Sequence, residues 1–88
     1  MYLYGANPDE LDHLGTTLQR QIDAVQGVIS TVGGVLASTT WMGPAHDRFR
    51  AEWDGAFTGA LQRLNEAFTA AGQDCLQRSA ALRQVMGA

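Results

Sequence analysis

Thr40-Trp41-Met42-Gly43-Pro44-Ala45-His46-Asp47-Arg48-Phe49-Arg50-Ala51-Glu52-Trp53 lies at mid-chain, with a long apolar repeat at helical spacing on either side. Gly43-Pro44 ends one helix and starts the next. Proline at a first helical position gives up an N–H that would have no partner, and glycine reaches the backbone angles of a tight corner. Ala45, Phe49 and Trp53 then recur every four residues on one face of the second helix. Trp41 stands just outside the corner, where its ring either caps the tip for stability or is held out for recognition. The pattern predicts an all-α, antiparallel two-helix hairpin.

Upstream, Asn7-Pro8-Asp9-Glu10 marks a helix start, with Asn7 as N-cap, Pro8 at the first helical position and Glu10 placed to reach back as in a capping box. Asp9, Glu10 and Asp12 put negative charge at the positive end of the helix dipole. The apolar positions follow two interleaved heptad series, Leu11-Leu18-Val25-Val32 and Gly15-Ile22-Ile29-Leu36. Their alternating steps of four and three form the seam of a coiled coil. Leu14, Val28 and Val35 widen this stripe on one side beyond what one partner helix covers, so hairpins are expected to pair into a four-helix bundle. Gly27, Gly33 and Gly34 each weaken the helix by about 1 kcal/mol relative to alanine. Gly33-Gly34 reads as a close helix contact or a bend, with a functional hinge as the sharper alternative. The first helix is expected over about residues 8–38 and the turn over about 39–43.

The second helix is expected from Pro44 to about residue 85. Its apolar series is Phe57, Leu61, Leu64, Phe68, Ala71, Cys75, Leu82 and Val85, interrupted by Arg78. Folding at the corner sets Leu36 near Phe49, Ile29 near Phe57 or Ala56, Ile22 near Leu64, Leu18 near Phe68 and Leu11 near Cys75. Gly15 falls near Phe68 to Gly72, where a small residue has room for a ring. The expected packing set, within the hairpin or between paired hairpins, is therefore Leu11, Leu18, Ile22, Val25, Ile29 and Leu36 with Phe49, Trp53, Phe57, Leu61, Leu64 and Phe68. Arg48–Glu52, Arg50–Asp54 and Asp74–Arg78 are spaced as exposed ion pairs, each contributing a few tenths of a kcal/mol. Tyr2-Leu3-Tyr4 reads as an apolar strap over Leu82 and Met86 at the open end, or as a disordered leader.

Composition narrows the function. The 88 residues make one domain, and a hairpin this short buries little of its own surface. Nine acidic residues against six arginines leave a net charge of −3, which argues against nucleic acid and against anionic membrane surfaces. No apolar run is long enough for membrane insertion, and the N-terminus lacks the basic start and apolar core of a Sec signal, so export would need another route. The single Cys75 excludes an internal disulfide.

Catalytic, metal and cofactor chemistry is not expected. His13 falls opposite Cys75 in the hairpin register but lies off the seam and has no third residue to orient it. Cys75 reads better as a small buried hydrophobe. His46 is a partner contact or an exposed helical histidine. Two histidines and one cysteine far apart make no metal site, and there is no glycine-rich phosphate loop.

Trp41-x-Gly43-x-Ala45-x-x-x-Phe49-x-x-x-Trp53, set between two long helices in a short chain, resembles the WXG family of small type VII secretion proteins. The actinobacterial members that read Trp-x-Gly-Pro with Arg-Phe-Arg and Trp downstream are most similar. The resemblance implies a hairpin that forms a homodimer, or a heterodimer with a sister WXG-type protein. It implies synthesis in the cytoplasm and secretion without a cleaved signal peptide, by a machine with a hexamer-forming ATPase. In the family the turn acts with a C-terminal Tyr-x-x-x-Asp/Glu element, usually on the partner chain, as a composite export signal. By position, Trp41 and Gly43 would be its turn half. The tail Ser79-Ala80-Ala81-Leu82-Arg83-Gln84-Val85-Met86-Gly87-Ala88 holds no tyrosine, so that element is expected from a partner if the usual signal is used. The alternative is an intracellular helical adaptor or chaperone that is not exported.

Overall fold

The two helical arms begin and end where their capping chemistry puts them. In the computed structural model, which describes residues 6–87, the Asn7 carboxamide oxygen accepts from the N–H groups of Asp9 and Glu10 at 2.9 and 3.4 Å. Pro8 opens helix α1, Pro8–Ser38. Glu10 makes no side-chain bond back to Asn7, so the cap is one-sided. At the other end Ser38 Oγ and Thr39 Oγ1 both donate to the Val35 carbonyl, at 3.2 and 2.6 Å, and Thr39 turns extended. These local bonds satisfy a carbonyl that the ending helix leaves free.

Gly43 makes the corner with φ 122° and ψ 175°, a region that side chains with a Cβ avoid. Pro44 then starts α2, Pro44–Glu52. The second arm is not one regular helix. Trp53–Phe57 forms a π-helical turn, after which α3 runs Thr58–Gly87 without a break in direction. The Thr58 N–H donates to the Trp53 carbonyl five residues back, the bond that defines the wider turn.

The arms lie antiparallel in a rod of 64 × 19 × 16 Å, and the described residues contain no strand. The α1 side of the seam is the expected one: Leu11, Gly15, Leu18, Ile22, Val25, Ile29, Val32 and Leu36 are buried or half-buried. The α3 side differs. It runs through Leu61, Asn65, Phe68, Gly72, Cys75, Ser79 and Leu82, so Leu61, Phe68, Cys75 and Leu82 face α1 as expected, whereas Leu64, Ala71 and Val85 do not. Leu64 is exposed and its neighbour Asn65 meets Ile22, donating Nδ2 to the Ile22 carbonyl at 3.2 Å. The expected Ile22–Leu64 pairing is off by one residue, and the π turn is the reason. It adds about one residue to the helical repeat, which rotates everything beyond it by about 100°.

Gly15 does not accommodate a ring. A Cβ there would lie 3.1 Å from the Gly72 carbonyl and 3.0 Å from Leu76 Cγ, so two glycines let the backbones approach while Leu76 packs over them. At the open end, fully buried Ser79 donates to the Pro8 carbonyl at 3.1 Å. Arg83 bridges the arms there, donating to Asp9 at 2.6 Å, to Asp12 at 2.9 Å and to Ser79 Oγ at 3.1 Å. The bond to Asp9, and then the nearby Asp12 and Asp9 charges, raise the already high Arg83 pKa, so the guanidinium stays charged. The strap expected of Tyr2-Leu3-Tyr4 lies outside the described residues.

Candidate interaction surface at the turn and along one flank

The tip is an aromatic column mounted on the corner. Phe49 stacks on Trp53 at 6.2 Å and 17° between planes, and touches Phe57 at 6.2 Å and 53°. Trp53 is buried, 8% exposed, and its indole nitrogen would lie 3.7 Å from a Cβ on Gly33. A Cβ at that distance is in ordinary contact, so the site has room for alanine and close approach does not require a glycine at Gly33. Trp41 crosses the top of the column, edge-on to His46 at 5.1 Å and 74° and tilted over Phe49 at 6.3 Å. His46 is half-buried beneath it, with Nδ1 3.1 Å from Asp47 Oδ1.

Trp41 nonetheless keeps 41% of its surface exposed. Its ring is fixed from below and open above, the condition under which a large side chain contacts a partner with little conformational entropy left to lose. Beside it lies a groove of about 380 Å³, lined almost wholly by apolar atoms of Val32, Val35, Leu36, Trp41, Phe49 and the threonines Thr31 and Thr39. Leu36 and Phe49 are brought together here, as the register predicts.

The flanks of the rod differ in chemistry. Residues that follow seam positions line one flank: Asp12, Gln19 and Gln26 on α1, with Gln62, Thr69 and Arg83 on α3. This side is polar. It carries the Asp12–Arg83 bridge and a cleft lined by Gln26, Gln62, Glu66 and Thr69 around Asn65. Residues that precede seam positions line the other flank: Leu14, Val28 and Val35 on α1, with Leu64, Ala71 and Val85 on α3. Leu14, Val28, Val35, Leu64 and Val85 are all exposed, by 41–83%. Phe57 is also 41% exposed, so of the expected packing set Phe57 and Leu64 are left mainly outside the hairpin core.

Arg50–Asp54 and Arg78–Asp74 form the expected i,i+4 pairs at 3.2 and 2.7 Å, while among the described residues Arg48 and Glu52 form no ion pair. His13 is exposed and Cys75 is buried in the seam, so the structure does not assemble them into a site. Among the described residues no three His, Cys, Asp or Glu side chains gather around a common point, and no helix is long and apolar enough to cross a membrane. Sequence reasoning missed Asn65, Gly72 and Ser79 as seam residues. Their signal was the run Phe49, Trp53, Phe57, Leu61, Asn65 at unbroken four-residue spacing. In a regular helix each such step drifts the stripe by about 40°, so Trp53 and Leu61 can both reach the seam only if the helix widens, while Phe57 between them stays mainly exposed.

No family model, curated protein or solved structure matches this chain.

Proposed function

We propose that this protein is a WXG-type substrate, or co-secreted partner, of a type VII secretion machine, a binding protein without enzymatic activity. In this reading it dimerises through its hairpin and presents the Trp41-x-Gly43 turn to the secretion ATPase as part of an export signal. The observation that carries the reading is the mounting of Trp41. A Gly43 corner at φ 122° and the Phe49–Trp53 column beneath hold a 41% exposed indole at the end of a rod.

The test separates folding from recognition. Trp41→Ala should leave the hairpin helical and cost about 1–2 kcal/mol at most, because the ring contributes only part of its area to the tip. It should abolish export from cells that carry the machine. Gly43→Val should instead strain the backbone itself by about 1–3 kcal/mol. Circular dichroism of both variants beside their amounts in washed culture filtrate gives the answer. Trp41→Ala protein that is folded and exported at the wild-type rate removes the turn from the signal. The intracellular adaptor is then the better reading.

A further inference from the structure

We infer that the wide turn of the second arm is a register device. It moves along the helix from Trp53–Phe57 to residues 64–68 and back, and each passage carries Phe57 and Leu64 between the surface and the seam. The inference goes beyond the export reading and does not depend on it.

The first support is residue count. A π turn holds about one residue more than a turn of α-helix, and exchange of neighbouring i→i−5 and i→i−4 bonds passes that residue along. Between the two positions each residue then takes the place now held by the one after it, a rotation of about 100°. Half-buried Thr58 and Leu61 and buried Asn65 leave the seam, and Phe57, Ala60 and Leu64, all exposed, enter it. A leucine replaces a leucine, while phenylalanine and alanine replace threonine and asparagine. Against this gain in apolar burial, the shifted register breaks the Phe49–Phe57 packing at 6.2 Å and the Asn65–Ile22 bond at 3.2 Å. These terms oppose each other, the condition for a populated minor state.

The second is hydroxyl placement. In the present turn the Thr58 N–H reaches the Trp53 carbonyl. Thr58 Oγ1 donates at 3.2 Å to the Asp54 carbonyl, which that N–H would serve in a regular helix. Further along, Thr69 Oγ1 donates to the Asn65 carbonyl at 2.9 Å. A turn widened over residues 64–68 would send the Thr69 N–H to Leu64 and leave the Asn65 carbonyl to that hydroxyl. Both positions thus carry the threonine that a wide turn uses.

The third is anchoring. Above the travelling segment, Trp53 is buried in the aromatic column. Below it, Gly72 abuts Gly15, Ser79 bonds to the Pro8 carbonyl at 3.1 Å, and Arg83 holds Asp9 and Asp12. Among the described residues, Asn65–Ile22 is the one side-chain hydrogen bond that ties the segment between these anchors to α1. Both ends keep their places while the middle turns. Phe57 and Leu64 are therefore open to a partner only while the wide turn stays at the tip, and the hairpin's own seam competes for them.

Methyl relaxation dispersion on the full chain tests this, since it reads microsecond-to-millisecond exchange. Ile22, Leu61 and Leu64 should exchange at one common rate, independent of protein concentration, with a minor state of about 1% or more. Asn65→Leu should lower that population by about tenfold or more, because it removes the buried amide that favours the shift. Leu61→Asn should raise it by a similar factor, because it buries a second amide in the present register only, and a nuclear Overhauser contact between Ile22 and Leu64 should appear. Deleting Gly55 removes the spare residue: the hairpin should stay folded with Asn65 still in the seam, and the exchange should vanish. Flat dispersion at Leu61 and Leu64 in the wild type would overturn the inference. So would exchange that persists without Gly55, or exchange whose amplitude follows protein concentration.

Discussion

Asn65→Leu should make the hairpin more stable, although it deletes an inter-helix hydrogen bond. Asn65 sits in the seam at 7% exposure, its Nδ2 donating to the Ile22 carbonyl at 3.2 Å and its Oδ1 buried without a partner. The assignment of the two atoms is fixed by chemistry, since only the nitrogen can donate to a carbonyl. Leucine forfeits that bond, worth about 1 kcal/mol, and removes an unsatisfied buried acceptor, worth about 1–3 kcal/mol. It also adds about 1.5–3 kcal/mol of side-chain burial, less about 1 kcal/mol or more where the branched chain crowds the polar cleft. The Ile22 carbonyl keeps its place in the α1 ladder, so no new orphan is made. The net gain is about 1–3 kcal/mol, which in a chain of this size raises Tm by about 4–8 °C per kcal/mol. Asn65→Asp keeps the shape but replaces the donor with a buried charge facing a carbonyl, and should destabilise by about 3 kcal/mol or more. Urea titration followed by circular dichroism measures both, repeated at tenfold dilution so that any contribution of association to apparent stability is separated. If Asn65→Leu lowered stability by about 1 kcal/mol or more at both concentrations, the seam assignment of Asn65 would be wrong.

Gly15→Val should destabilise by about 2–4 kcal/mol, since even its Cβ would press on the Gly72 carbonyl and Leu76. Gly27→Ala, where no atom lies within 4 Å of the new Cβ, should stabilise by about 1 kcal/mol through helix propensity alone; thermal melts of the pair check both signs. Ile22→Asp should cost about 3 kcal/mol or more, whereas Leu64→Asp should leave the dilute hairpin nearly unchanged and weaken only association. Equal losses for the two in dilute melts would restore the Ile22–Leu64 contact that the structure removes.

The first arm was readable almost to the residue because its signals are local. Asn7-Pro8 sets the start, hydroxyl side chains at Ser38 and Thr39 set the end, and the strict four-three spacing between them leaves one solution for the seam. The corner was readable because Gly43-Pro44 permits little else. The second arm misled because its most conspicuous apolar residues, Leu64, Ala71 and Val85, lie at helical spacing and still face outward. Burial had to be assigned to Asn65, Gly72 and Ser79 instead, and nothing in their side chains marks them as core. What selects them is close approach. Gly72 and Gly15 need each other's missing Cβ, while Asn65 and Ser79 bond across to the main-chain carbonyls of Ile22 and Pro8.

The π turn ties this assignment to the face. A regular α-helix that continued the stripe of Phe49 and Trp53 would carry it through Ala60, Leu64, Ala67 and Ala71. Those are the residues that line the outward flank. The wider turn at Trp53–Phe57 rotates them out of the seam and brings Leu61, Asn65, Phe68 and Gly72 in. The hairpin thereby gains the stacked Phe49–Trp53 column at its tip and accepts a seam that is polar or bare at three positions on one side. The apolar surface it turns outward lies along the same flank as Leu14, Val28 and Val35, and it ends at the groove beside Trp41. A chain selected only to close on itself would keep its leucine in the seam and its asparagine in water. This one does the opposite, so it is the wider turn and the close approach of the backbones, not side-chain hydrophobicity, that decide which residues of the second arm are buried.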